Sequence, residues 1–436
     1  MIIKLLKIKR FLPLFLTQSL GTFNANLFKN ALLILMTYKM TLQLNAEILV
    51  TLAAGIFVFP FFLFSATAGQ LADKFEKSRL IRVIKFSEII LMLMGSIGLY
   101  FNNIIILISV LFLIGTQSAF FGPIKYAILP ECLQDKELVA GNGLIEAGTF
   151  LAILFGTILG GVIIVYPKGF AFVSLLICLI AITGYLSSLW IPKTIVRHSA
   201  INIRYNFIAE TYRIIQYSKA KRDIFLCILG ISWFWAVGAT FLAEFPGFAK
   251  NELHANSTIV TYFFFLFSVG IAIGSLCCSK LLKGKIHANY VPFGALGMAL
   301  FTLDLYFAAS HVAIITTSPL TTLIQFLQSF RGWRISFDLI LFSICSGLYT
   351  VPLYAILQHR SEETHRARVI ASNNIMNALF MVLSSVFTII MLKMKLSVNE
   401  VFLCVAIGCA IVTVYICKLV PENLIQKFFL SMFNRK

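Results

Sequence analysis

Apolar runs of about twenty residues recur down the chain, each closed by a short polar segment. A helix needs about 20 apolar residues to cross the hydrocarbon of a bilayer. Windows of that kind fall near 11–38, 48–71, 83–101, 104–121, 139–165 and 169–191, then near 224–246, 257–282, 288–310, 336–357, 369–392 and 398–419. The pattern predicts an all-α polytopic membrane protein with twelve transmembrane helices in two six-helix halves. The first half occupies 1–191, a cytoplasmic linker 192–223, and the second half with a cytoplasmic tail 224–436. Strands of a membrane barrel are about 10 residues long and alternate in polarity, so these continuous runs exclude one. The stretch His311 to Ile335, broken by Pro319 and Gly332, predicts a long outer loop with a surface helix around Leu323 to Phe330.

Composition agrees with the pattern: 59% of the 436 residues are hydrophobic and 12% are charged. The formal charge of +18 raises the possibility of nucleic acid, but its distribution argues against such a partner. Basic residues gather in alternate loops, at Lys4, Lys7, Lys9 and Arg10, at Lys74, Lys77, Arg79 and Arg82, across the linker, and at Lys280 to Lys285, Arg360, Arg366, Arg368 and the tail. The other loops hold few, among them Lys39, Lys168 and Lys250. Positive charge on one side marks the cytoplasm, which puts both termini inside. The nine cysteines show no metal or redox spacing and read as small packing residues. No cofactor is expected.

An internal repeat accompanies the two halves. P-I-K-Y-A-I-L from Pro123 and A-G-N-G-L-I-E-A from Ala140 answer to P-L-Y-A-I-L from Pro352 and A-S-N-N-I-M-N-A from Ala371. Tyr126 then matches Tyr354, Asn142 matches Asn373, and Glu146 falls opposite Asn377. Two such halves with a cytoplasmic linker resemble a major-facilitator transporter, whose substrate sits between the halves near the midplane. The loop G-Q-L-A-D-K-F-E-K-S-R resembles that superfamily's signature between helices 2 and 3. There Gly69 permits close helix approach, and Asp73 can cap a helix end and pair with basic groups; with Lys74 and Arg79 it forms a candidate conformational latch. The equivalent loop, Gly274 to Lys285, has basic residues but no aspartate, so the latch should be one-sided.

F-L-P-L-F-L-T-Q-S-L-G-T-F-N-A-N-L-F-K-N-A-L, with F-G-P-I-K-Y-A-I-L-P, N-G-L-I-E-A-G-T-F-L-A-I-L-F-G-T-I-L-G-G and V-P-L-Y-A-I-L-Q, resembles the bacterial lysophospholipid transporters. It is also similar to the membrane portion of fusions of such a transporter with an acyltransferase and an acyl-carrier-protein ligase. The resemblance implies movement of lysophospholipid, chiefly the ethanolamine type, from the outer to the inner leaflet of the bacterial inner membrane for reacylation. The acyltransferase signature H-x-x-x-x-D is absent, so an acylating enzyme would be a separate partner. One departure stands out: relatives typically carry an acid where this chain has Ala25. A rival reading is a major-facilitator exporter of amphipathic drugs or small solutes.

A zwitterionic lysolipid needs a cation or amides, an acid or acceptors, and an apolar side. Ionisable residues inside a membrane cost about 3 kcal/mol or more and usually face a cavity or a partner. Lys29 is the candidate phosphate ligand, or one arm of a salt bridge that substrate opens. Asn26 can share its face, whereas Asn24 lies about 200° away. Lys125 could receive the phosphate on exit, or lie at the interface as an ordinary lysine. Glu146 is the acidic candidate, for the substrate amine or for one of the two lysines. Asn142 and Glu146, with Asn373 and Asn377, would form facing polar stripes, a pattern that interhelical amide bonds would equally explain. Trp233 and Trp235 line the cavity or only pack, while Glu88, Glu244 and Asp304 read as structural.

Overall fold

The computed structural model describes residues 2–38, 46–194, 203–204, 206–310 and 320–417. Among these are twelve helices of 19 residues or more: α1 (Leu12–Tyr38), α2 (Ala46–Lys74), α3 (Lys77–Tyr100), α4 (Ile104–Ala127), α5 (Asp135–Val165), α6 (Gly169–Leu189), α7 (Arg222–Gly247), α8 (Ser257–Leu282), α9 (Val291–Ala309), α10 (Phe330–Arg360), α11 (Arg366–Lys393) and α12 (Val398–Ile416). Among the described residues ten helical spans are long and apolar enough to cross a membrane, and the chain is a multi-pass membrane protein. The two long helices outside that set, α1 and α3, carry polar groups buried in mid-helix, Asn24 on α1 and Lys85 and Glu88 on α3.

Several helices outrun their apolar windows. α3 begins at Lys77 rather than near 83, α5 at Asp135 rather than near 139, and α10 at Phe330 rather than near 336. The window measures hydrocarbon thickness, whereas backbone hydrogen bonding continues into the polar interface, where charged side chains are solvated. α5 shows this directly: Gln134 and Glu137 form a capping box, and Glu137 also pairs with Arg10 at 2.7 Å. The expected surface helix is present as Leu323–Gln328, started by a Thr322–Gln325 capping box. Residues 311–319, Lys39 and the basic tail lie outside the described residues.

α1 packs on α5 and α6, α2 on α4, and α3 on α4 and α6; α7 packs on α10 and α11, α8 on α10, and α9 on α10 and α12. Between these two groups the contacts run from α2 to α11, from α5 to α8 and α10, and from α4 to α11. The close approach of α1 and α5 depends on glycine. A Cβ on Gly156 would meet the Phe23 carbonyl at 2.5 Å and one on Gly160 the Leu27 carbonyl at 2.3 Å, so only hydrogen fits.

The contacts between the groups cluster at the end that carries the α2–α3 and α10–α11 loops. There Gly69 lies against α11, where an added Cβ would be 2.8 Å from that of Ala371 and 2.9 Å from Cα of Arg368. The helix Phe207–Ala220 packs on α2, α7 and α11 at the same end. Its flanking chain is tied to α2 through Gln70, which bonds both the N–H and the carbonyl of Arg204. On the other side, Lys221 and Tyr217 reach Glu362 at 2.5 and 2.9 Å.

Candidate functional site

A cavity of about 370 Å³ lies between the two groups of helices. Tyr126 of α4 and Tyr354 of α10 stack beneath it, with ring centroids 4.3 Å apart and planes 8° from parallel. Each hydroxyl is anchored. Tyr126 donates to Glu146 of α5, and Tyr354 accepts from the indole N–H of Trp235 at 3.0 Å. Behind the stack, Asn142 and Gln358 exchange two amide hydrogen bonds of 2.7 and 2.9 Å, joining α5 to α10. Deeper still, Asp73 accepts from the backbone N–H groups of Ala367 and Arg368 and from Arg368 Nε, at 3.0, 3.3 and 3.0 Å. It thereby caps α11 from across the interface, where the helix dipole and the guanidinium both favour its charge.

Three lysines line the cavity, all on α1, α3 and α4. Lys85 pairs with Glu88 at 2.6 Å, and Glu88 also accepts from Asn24 of α1 at 3.0 Å and Gln117 of α4 at 2.9 Å. Lys29 and Lys125 are in no ion pair among the described residues. Lys29 Nζ stands 5.3 Å from the centre of the Phe57 ring, and Lys125 Nζ stands 4.7 Å from that of Tyr126. Helix geometry sets their order. Lys85 Nζ abuts Gly21, and Lys29 is eight residues further along α1, about 12 Å. Gln117 marks the level of Glu88, and Lys125 is eight residues further along α4 in the opposite direction, again about 12 Å. The cations therefore form a ladder from the tyrosine floor upward: Lys125, Lys85, Lys29.

The facing wall is built by α7, α10 and α11. It presents Phe234, Trp235, Leu242, Tyr354, Asn377 and Met381 and no charged side chain. Trp235 stacks on Phe150 at 6.1 Å, and Asn377 accepts from Ser232 at 2.9 Å. Among the described residues, no cluster of His, Cys, Asp and Glu could hold a metal ion.

The Major Facilitator Superfamily model matches residues 15–339. The chain belongs to that superfamily. It is 28% identical over 317 residues to the lysophospholipid transporter LplT of Enterobacter sp. strain 638, covering 71% of each chain. It is 27% identical over 343 residues to LplT of Escherichia coli strain SE11, covering 77% of each. Solved major-facilitator structures share the fold at low identity. The human organic anion transporter MFSD10 superposes with a TM-score of 0.71 at 12% identity, covering 94% of this chain and 99% of that one. The Escherichia coli fucose:proton symporter FucP gives 0.67 at 12%, covering 95% of this chain and 100% of that one.

Within this superfamily fold the expected site residues separate. Asn26, Lys29, Lys125 and Asn377 line the cavity. Asn24 is turned away from it, onto Glu88 and the Ile177 carbonyl. Four others lie outside the cavity lining. Asn142 is spent on Gln358, so the interhelical amide bond is the role it takes. Glu146 is fully buried and outside the lining, where it accepts from the Tyr126 hydroxyl. Asn373 is fully buried outside the lining. Trp233 faces a separate apolar groove between α7, α11 and α12 and donates to Cys409 Sγ at 3.4 Å; Trp235, about 200° round the helix, holds the cavity position.

The residues expected to form a latch separate as well. Asp73 and Gly69 engage α11, but Lys74 stands over Phe75 and Arg79 is exposed, so the basic partner is Arg368. Lys85, Gln117, Gln358 and Arg368 were missed by sequence reasoning. The spacing of Lys85 and Glu88, three apart within an apolar run, was the available signal for the first.

Proposed function

We propose that the chain carries lysophospholipids, lysophosphatidylethanolamine foremost, from the outer to the inner leaflet of a bacterial inner membrane. The carrying observation is the cavity's division into a wall with two lysines outside any ion pair among the described residues and a wall that is uncharged and mostly apolar and aromatic. A lysolipid divides in the same way, into an anionic phosphate and one acyl chain. The similarity to LplT proteins supports the lipid class. The phosphate would meet Lys29 on entry and Lys125 before release, with the chain along Phe234, Trp235 and Met381. Membrane lipid supplies the substrate, and a separate acyltransferase or acyl-carrier-protein ligase would consume it.

The positive-inside pattern supports placing the sealed end, both termini and the helix Phe207–Ala220 in the cytoplasm, with 192–223 as the linker between the halves. In that orientation the cavity is poised for the outer leaflet. Transport then requires the Tyr126–Tyr354 stack, the Asn142–Gln358 pair and the Asp73 cap to part together while the halves rock.

The test is inward transfer of labelled lysophosphatidylethanolamine into spheroplasts lacking their own transporter, with the wild-type chain, Lys29→Ala and vector alone. Transfer that Lys29→Ala abolishes at equal expression is the expected result. Transfer no greater than vector would leave the superfamily membership standing and remove the lipid.

A further inference from the structure

The pair Lys85–Glu88 has no part in the reading above, although both residues line the cavity. Each is about 2% exposed, deep within α3, where an apolar pair of similar volume would hold the helix without the cost of burying charge. The two partners are bound unequally. Glu88 has donors from three helices, and two of these, Asn24 and Gln117, are neutral amides that stay in place if the lysine leaves. Lys85 has Glu88 as its one acceptor among the described residues, and the Phe121 ring lies 5.2 Å from its ammonium. The ammonium reaches over α1 through a notch at Gly21, where an added Cβ would sit 2.0 Å from Nζ. The acid is thus fixed and the base can swing.

We propose that Lys85 and Glu88 read a zwitterionic, amine-bearing head group by exchange. The substrate phosphate takes Lys85, and the substrate ammonium takes the place of Lys85 Nζ on Glu88. An internal ion pair is replaced by two intermolecular ones, so no uncompensated charge is buried at any stage. A primary ammonium offers three N–H donors, as the lysine did. A glycerol head group has no cation to give Glu88, and a trimethylammonium has the charge without the donors. This inference rests on the lysophospholipid reading.

The experiment measures binding of lysophosphatidylethanolamine and lysophosphatidylglycerol with the same acyl chain to the purified full chain, as wild type, Glu88→Gln and Gly21→Ala. Glutamine keeps the shape of Glu88 and removes its charge. The expected result for Glu88→Gln is about tenfold or greater weakening for the ethanolamine lipid, the scale of one charge-assisted hydrogen bond, with the glycerol lipid unchanged or tighter. In Gly21→Ala only the flexible end of Lys85 must move, and both lipids should weaken, because both carry the phosphate. Equal effects of Glu88→Gln on the two lipids, or none from either variant, would overturn the exchange and leave the pair as a brace. A wild-type chain that binds neither lipid would overturn the lysophospholipid reading and this inference with it; binding of both lipids with indifferent variants overturns the inference alone.

Discussion

Helices α1–α6 and α7–α12 repeat one architecture but furnish the cavity differently. Every charged side chain on its wall, Lys29, Lys85, Glu88 and Lys125, comes from α1, α3 and α4; the second group answers with rings, aliphatic chains and the neutral amides Asn374 and Asn377. Away from the cavity the second group is also the more aromatic, with Phe241 stacked on both Phe342 and Phe402 at 4.5 Å. The repeat locates the difference. With Tyr126 set against Tyr354, Lys125 falls opposite Leu353, which is fully buried. The same asymmetry governs the sealed end. Asp73 of α2 caps α11, whereas at the α5–α8 contact Gly284 meets the Lys136 carbonyl, and the neighbouring Asp135 of α5 reaches only the His359 side chain of α10, at 3.5 Å. A shared scaffold thus keeps the tyrosine pair symmetric, while one half carries the charge of the cavity wall and the carboxylate that caps a helix of the other.

The largest effect should come from erasing that charge. Lys125→Met keeps the length and apolar stem and removes the ammonium. Loss of a charge-assisted contact to phosphate costs about 1.5–3 kcal/mol, or about 10- to 150-fold in affinity. Uptake of labelled lysolipid by spheroplasts should fall by that factor at equal expression. Leu353→Met, the matched change in the other half, should leave uptake within about twofold, since volume-conserving apolar swaps are well tolerated. Equal losses from the two would erase the distinction between the walls.

The unequal furnishing also explains what could be read from the chain. The helices and the repeat were legible because apolar length and the Pro–Tyr and Asn spacings are local properties. The cavity positions of Lys29 and Lys125 were legible because a lysine in such a span needs a reason. Partners were not. Asn142 and Gln358 are separated by 216 residues and Asp73 and Arg368 by 295, and no periodicity pairs positions across an interface between halves. Asn142 and Glu146 do share a helix face, but that face meets α10 and α4, so a polar stripe became an interhelical seal. Trp233 and Trp235 differ only by rotation about α7, and the pattern of so apolar a helix does not fix that rotation.

The second effect concerns the one-sided latch. Asp73→Asn removes the charge that Arg368 and the start of α11 share, and keeps one acceptor for the backbone N–H groups. The expected shift is about 1–3 kcal/mol toward separation of α2 from α11. Spin labels at the exposed positions Arg79 and Lys280, in a chain with its nine native cysteines replaced, should show a longer distance population growing by about 5- to 150-fold relative to the short one. Lys74→Ala, which removes an ammonium standing over Phe75 on its own loop, should not change the distribution. A growth of the long population in Lys74→Ala to match Asp73→Asn would return the latch to the loop itself.

The smallest effect separates the two tryptophans of α7. Trp235→Phe keeps an aromatic wall and removes the hydrogen bond to Tyr354, a loss of about 0.5–1.5 kcal/mol, or about 2- to 10-fold in lysolipid affinity. Trp233→Phe alters the groove beside α12 and should leave affinity unchanged. Quenching of intrinsic fluorescence by a lysolipid with a brominated chain reports both residues in one titration. Trp190 and Trp333 are largely exposed on the outer surface, at 76% and 61%, and supply a signal that bulk lipid quenches in every variant. The saturable part of the quenching should vanish in Trp235→Phe and persist in Trp233→Phe. The reverse result would move the acyl chain out of the central cavity and into the groove between α7, α11 and α12, where Trp233 would be its marker and the apolar wall facing the lysines would have no ligand to hold.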